Sequence, residues 1–141
     1  MSLQNGLLEL FSHIKGEERM LKKKNLTEKE IKAVMLGWQK WMEIAYRLEA
    51  GDLVMPWYEL NKSSYRWQSD FSIIPDGAED CELCRLSVEK GIIKCKLCVY
   101  YKNYAHQCHK RGGYWYEWIH NPCYETAFAL AEKLIKIIFP Y

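Results

Sequence analysis

Two pairs of cysteines constrain this chain more than any other feature. Within each pair two residues separate the thiols, and ten residues separate the pairs: Cys81, Cys84, Cys95 and Cys98. A spacing of two residues lets both sulfurs point the same way, and two such pairs supply the four soft ligands of one tetrahedral ion. The spacing therefore predicts a structural Zn²⁺ site. Disulfides, an iron–sulfur cluster and redox thiols are the alternatives.

The ten residues between the pairs must fold back to bring the four sulfurs together. Gly91 lies near their midpoint and accepts the positive φ of a tight turn. β-branched residues flank it: Val88, Ile92 and Ile93. This pattern predicts a short hairpin, with a helical turn ending at Gly91 as the alternative. Leu83 and Leu97 occupy equivalent positions in the two pairs, which suggests two similar turns about a pseudo-twofold axis.

Further metal-binding side chains follow the second pair. They are His106, Cys108, His109, His120 and Cys123. Their spacing matches no established metal motif. A second metal ion, a disulfide between the two cysteines, alternative ligands and buried thiols all remain open.

The beginning of the chain lacks the features of a secretory signal. No basic segment precedes an apolar run, and Glu9 interrupts the apolar residues. No apolar stretch approaches eighteen residues, so no membrane-spanning helix is expected. We therefore expect a cytoplasmic protein with reduced thiols.

The cysteine segment is also the basic part of the chain. Residues 81–123 carry seven Lys and Arg against three Asp and Glu. Four thiolates on one Zn²⁺ have a formal charge of −2, so part of this excess offsets the site itself. The remainder, interleaved with aromatic residues over 100–118, is typical of single-stranded nucleic-acid binding. The candidate contacts are Lys102, Lys110, Arg111, Tyr114 and Trp115.

The chain is expected to form a single domain, residues 1–141, with helices at both ends. In residues 1–52, a short helix runs from Leu3 to about Met20, and a long amphipathic helix then begins at the capping box of Thr27 and Glu30 and stops before Gly51. Residues 53–80 are predicted to form an ordered aromatic-rich loop, in which the alternation over 64–68 permits one strand and 71–74 another extended piece. Residues 81–123 form the metal module.

The C-terminal helix is expected over 122–139, with Asn121 as its N-cap and Pro122 in its first turn. The predicted fold class is mainly α with a small zinc-knuckle hairpin (α+β). The long amphipathic helix and the C-terminal helix pack on the cysteine module in this prediction.

Two enzyme classes share parts of this pattern. In HNH-type nucleases the catalytic His and Asn lie between the knuckles, whereas His109, His120 and Asn121 follow both pairs. Zinc deaminases need a His-x-Glu sequence ahead of the second pair, which is missing. Four thiolates would also leave no coordination position for a reactive water. The sequence therefore favours a protein without catalytic activity, without deciding the question.

The order of the motifs resembles small cysteine-rich proteins often encoded by phages and related mobile elements. The resemblance covers about residues 30–135 and rests on Gly37-Trp38-Gln-Lys-Trp41, the two cysteine pairs, a further Cys, and a closing helix that begins near Cys123-Tyr124. It implies a presumed zinc-binding protein and assigns no activity.

The functional prediction is a zinc-stabilised binding or adaptor protein that contacts another protein. The alternative is a single-stranded nucleic-acid-binding protein that uses residues 100–118. The sequence assigns neither the partner nor the oligomeric state.

Overall fold

The computed structural model describes residues 26–59, 62–77 and 80–139. The helix expected between Leu3 and Met20 lies outside these residues. Five α-helices and four strands follow one another in these residues: α1 (Glu28–Glu49), β1 (Val54–Glu59), β2 (Lys62–Trp67), α2 (Glu82–Leu86), β3 (Val88–Glu89), β4 (Ile92–Ile93), α3 (Val99–Tyr104), α4 (Tyr114–His120) and α5 (Tyr124–Ile135). A 3₁₀ turn, Cys95–Leu97, precedes α3.

Helix α1 begins at the predicted capping box. The Glu30 amide donates to Thr27 Oγ1 at 3.1 Å, and the Thr27 amide donates to Glu30 Oε1 at 3.0 Å. Both bonds satisfy backbone groups that the first helical turn leaves without partners. Gly51, with φ of +100°, lies just beyond the end of the helix, as the sequence predicted.

The core forms where α1 lies along α5 and α2. Gly37 allows close approach of the two long helices, because a Cβ there would lie 3.2 Å from Leu134 Cδ1. Trp118 of α4 is fully buried and meets Trp41 and Tyr65 edge to face, with ring centroids 5.2 and 6.0 Å apart. The predicted packing of the long helix against the last helix and the cysteine segment is confirmed.

Residues 53–80 contain a β-hairpin where an aromatic-rich loop was expected. Strands β1 and β2 are antiparallel, with Val54 opposite Trp67, and Arg66 forms a further bridge to Ile73. Pro56 obscured the strand pattern, but a two-stranded sheet has only edge strands and tolerates proline. The Tyr65 hydroxyl donates to the Ile119 carbonyl and fixes the hairpin against α4.

The start of the last helix differs from the prediction. Cys123, not Asn121, is its N-cap, and α5 ends at Ile135 with a turn over 136–138. Thr126 explains the shift, because its hydroxyl accepts from the Cys123 amide at 3.1 Å and donates to the Asn121 carbonyl at 2.7 Å. These bonds hold residues 121–123 outside the helix.

The described residues form a mostly helical α+β fold with two small antiparallel sheets. Helices α3 and α4 were not predicted from the sequence. Within the described ranges, no helix combines the length and apolar character needed to cross a membrane.

Candidate metal centre

The two cysteine pairs adopt different local structures. Cys81 precedes α2, so Cys84 lies within a helical turn, whereas Cys95 begins the 3₁₀ turn and Cys98 precedes α3. Leu83 is 3% exposed, but Leu97 is 39% exposed. The expected pseudo-twofold relation between the pairs is therefore wrong at these positions, because only the first turn faces the core.

A hairpin returns the chain from the first pair to the second, as predicted. Val88 pairs with Ile93, and Gly91 has φ of +79° in the turn. The buried Ser87 secures its base, since its hydroxyl donates to the Leu83 carbonyl at 2.6 Å and its carbonyl accepts from the Lys94 amide at 2.8 Å.

The cysteines of both pairs line one cavity of about 300 Å³, which we call the sulfur-lined cavity. Cys108 and His109 line it as well, so five of the six cysteines line this cavity. Its remaining wall is largely apolar and includes Trp41, Tyr100, Leu130 and Leu134. Soft ligands thus meet in a setting of low polarity, where charge interactions are strong.

The first pair is a hydrogen-bonded thiol pair. The Cys84 thiol donates to Cys81, which lowers the pKa of Cys81 to about 6 although burial opposes the change. Lys40 and the backbone N–H groups of Cys84 and Leu83 also favour the Cys81 thiolate. The same hydrogen bond raises the pKa of Cys84. One sulfur of this pair is therefore disposed to carry negative charge.

Burial is the largest cause of the pKa shift at two other thiols, those of Cys98 and Cys108. It raises the pKa of Cys98, while the backbone N–H groups of Tyr101 and Tyr100 act in the opposite direction. It raises the pKa of Cys108 to about 12, with a further contribution from the charges of Cys81, Cys98 and Cys95. A bound cation would reverse this balance, because thiols lose their protons when they ligate a metal.

The donor chemistry suits a metal such as Zn²⁺, since it comprises thiolates, an imidazole and N–H groups directed at sulfur. Across the described ranges, however, no three His, Cys, Asp or Glu side chains are arranged as a group that could hold a metal ion. All six cysteines lie in these ranges, and each is a free thiol. The sulfurs share a cavity without forming a ligand cage.

The nucleic-acid candidates from the sequence differ in exposure, since Lys102, Lys110 and Arg111 are exposed and Tyr114 and Trp115 are half-buried. Tyr114 and Trp115 are half-buried and pack against the core, and Trp115 Nε1 donates to the Asp76 carbonyl. Lys102 lies 3.9 Å from Glu30 Oε2. Lys110 lines an open cleft beside the cysteines, and Arg111 is exposed.

This open cleft is basic, which the sequence did not predict. Lys94, Lys96 and Lys110 line it together with Gln107 and His109, and we call it the basic cleft. Burial lowers the pKa of His109, and the charge of Lys110 lowers it further. In the sequence, the indication of this cleft was the pair of lysines, Lys94 and Lys96, on either side of Cys95.

The other candidate ligands lie elsewhere. His106 Nδ1 is 2.7 Å from the Gln107 carbonyl, and the ring of His120 stacks on Tyr116 with centroids 4.0 Å apart. The sulfur of Cys123 lies 3.5 Å from Thr126 Oγ1 at the start of α5. None of these three residues lines the sulfur-lined cavity.

Comparison of the chain with protein-family models, with curated proteins and with solved structures finds no match.

Proposed function

We propose that this chain is a cytoplasmic, zinc-stabilised binding protein whose cysteine module presents a surface to a protein partner. Cys81, Cys84, Cys95 and Cys98 hold Zn²⁺ in this proposal, and the ion has a structural role. The proposal is supported by their shared cavity and by the spacing of the two pairs.

The observation that carries the binding role is an exposed apolar surface on this module. Half of the exposed large apolar side chains in the described residues lie within residues 86–97. They are Leu86, Val88, Ile92, Ile93 and Leu97, which together we call the apolar hairpin surface. Val88 and Ile93 pair across the hairpin and share one of its faces, and Ile92 lies on the other. Val88 and Ile92 are 46% and 59% exposed. Clustered apolar groups with polar surroundings are characteristic of interaction sites.

The charges around this surface indicate the kind of partner. Arg85, Lys90, Lys94 and Lys96 are interspersed with its apolar residues and exceed the acidic residues Glu82 and Glu89 in number. A partner segment with apolar side chains and a net negative charge would match both features.

Elemental analysis of anaerobically purified protein tests the metal. One Zn²⁺ per chain, with four thiols protected from a thiol reagent until a chelator is added, is expected. Absence of stoichiometric transition metal would contradict the zinc site.

Partner binding is tested by quantitative cross-linking in cells of the source with wild-type protein and Val88→Ser/Ile92→Ser. The variant should lose a defined partner and keep its zinc. Tyr46→Ser serves as the control, because Tyr46 is also exposed but lies on α1. Equal recovery of that partner by all three proteins would exclude the apolar hairpin surface as the contact.

The basic cleft favours a second function, binding of single-stranded nucleic acid. Three lysines around one open groove provide the cations that follow a phosphate backbone. The half-buried positions of Tyr114 and Trp115 reduce the ring area available for base stacking.

Titration of single-stranded DNA and RNA at two salt concentrations tests this alternative. Salt-sensitive binding that is lost in Lys110→Ala/Arg111→Ala would support it. The control variant Lys29→Ala/Lys32→Ala, which replaces two exposed lysines of α1, should retain that binding. No binding at low salt would exclude it.

A further inference from the structure

Cys108 lies outside both cysteine pairs but reaches the same cavity. Helix α3 ends at Tyr104, its C-cap Ala105 has φ of +54°, and the chain then turns back before α4 begins. The Tyr116 amide donates to the Cys108 carbonyl at 2.9 Å, and the Gly113 amide donates to the Lys110 carbonyl at 2.8 Å. These bonds tie the loop to α4, and Cys108 in this loop lines the sulfur-lined cavity.

The fit of this loop is close. A Cβ at Gly113 would lie 2.2 Å from the Cys108 carbonyl oxygen, so the backbone of the two segments is in direct contact. Backbone contacts therefore fix the position of Cys108, in addition to any contact of its side chain.

Cys108 lines the same cavity as Cys81, Cys84, Cys95 and Cys98. Cys123 differs, because its sulfur lies beside Thr126 and does not line the cavity. The structure thus separates the two cysteines that the spacing rules left unassigned.

Cys95 occupies a boundary position. It lines both the sulfur-lined cavity and the basic cleft, whereas Cys81, Cys84, Cys98 and Cys108 line only the former of the two. A tetrahedral site accepts four ligands, so five sulfurs in one cavity exceed its capacity by one.

We propose that Cys108 is a ligand of the same metal ion as Cys81, Cys84 and Cys98, in exchange with Cys95. This inference rests on the proposed zinc site. In the exchange the incoming thiol releases its proton to solvent and the departing thiolate takes one up, so the ion retains four thiolates throughout. The fifth sulfur then makes the site tolerant of losing one particular ligand.

The test compares Zn²⁺ content and Zn²⁺ affinity, measured by competition with a chromophoric chelator, in a set of serine variants. Cys95→Ser and Cys108→Ser should each keep about one ion per chain with affinity reduced by roughly tenfold, and the double variant should lose the ion. Cys81→Ser should behave like the double variant. Cys123→Ser is the matched control and should equal wild type.

The outcomes separate this inference from the proposed function. If wild-type protein binds no Zn²⁺, the zinc site fails and the exchange fails with it. If wild type binds Zn²⁺ but Cys95→Ser loses it as completely as Cys81→Ser does, only the exchange fails. Unchanged affinity in Cys108→Ser would also overturn the exchange.

Alkylation of the zinc-loaded wild-type protein, followed by peptide mass analysis, provides a test without variants. Cys81, Cys84 and Cys98 should be protected, Cys123 modified, and Cys108 protected in at least part of the molecules. Complete modification of Cys108 with complete protection of Cys95 would overturn the proposal.

Discussion

Asp76 is a buried carboxyl group that connects the segment after β2 to α4. Its side chain accepts from Trp118 Nε1 at 2.9 Å, and its carbonyl accepts from Trp115 Nε1. Burial raises the pKa of Asp76, with Asp80 acting in the same direction and the bond from Trp118 and the charge of Lys40 opposing. Burial therefore disfavours the ionised form of this carboxyl group.

Asp76→Asn should change the pH dependence of stability. Since the folded pKa is raised, the wild-type stabilisation from this group is complete below the unfolded pKa of 3.8 and is lost as pH rises through the folded pKa. Asparagine retains an acceptor for Trp118 and does not titrate. The free energy of unfolding of the variant relative to wild type should therefore increase with pH between about 4 and 7, measured by urea denaturation.

Two further variants make this test specific. Asp80→Asn, at an exposed neighbour, should show little of the trend. Asp76→Leu removes the acceptor of the buried Trp118 N–H and should lower stability by about 1–3 kcal/mol. A difference between Asp76→Asn and wild type that stays constant or falls with rising pH would contradict the burial effect.

Gly113 matters for contact, not for backbone conformation, because its φ of −81° suits any residue. Gly113→Ala would place Cβ within 2.6 Å of three backbone atoms of Gln107 and Cys108, which cannot rotate away. We expect a loss of about 1–3 kcal/mol in the free energy of unfolding. Gly77→Ala, where the nearest atom is Asp80 Oδ2 at 3.8 Å, should cost clearly less in the same urea titration. Equal costs would show that the loop relaxes freely.

At the scale of elements, the capping box of α1 gives a local prediction. Thr27→Ala removes the acceptor of the Glu30 amide and should lower stability by about 1 kcal/mol. Thr27→Ser keeps a hydroxyl at the same position and should preserve most of it. Thermal melts monitored by circular dichroism distinguish the two, and identical losses in both variants would argue against the cap.

Elements with local causes were predictable from the sequence. The start of α1 and the hairpin of β3 and β4 depend on residues close in sequence, namely Thr27 with Glu30 and the turn at Gly91. Helices α3 and α4 depend on distant contacts, such as the Tyr104 hydroxyl donating to the Lys133 carbonyl and the burial of Trp118. Short segments of this kind carry too little periodicity to be recognised alone.

At the scale of the molecule, the spacing predicted that four cysteines share one metal site, and these four residues line one cavity. The spacing left Cys108 unassigned. Spacing rules cover ligands in adjacent turns, whereas Cys108 returns through a loop whose path depends on Gly113 and on the amide of Tyr116. The basic cleft was missed for the same reason, since Lys110 joins Lys94 and Lys96 only after that loop has folded.

The placement of the cavity predicts which part of the molecule depends most on Zn²⁺. Helices α1 and α5 contact each other directly, through fully buried residues such as Val34 and Ala131, and this packing needs no sulfur. The segments around the cysteines are short and leave much apolar surface exposed. Removal of Zn²⁺ should therefore destabilise residues 81–113 more than the pair of long helices.

Hydrogen exchange before and after chelation measures this difference. Amides of residues 81–113 should exchange at least tenfold faster without Zn²⁺, while amides in the middle of α1 and α5 keep most of their protection, because local opening then needs less free energy than global unfolding. Cys123→Ser protein should show the same pattern, since Cys123 lies outside the cavity. Equal acceleration in both regions would mean that the ion supports the whole core, and no acceleration in residues 81–113 would contradict a structural ion.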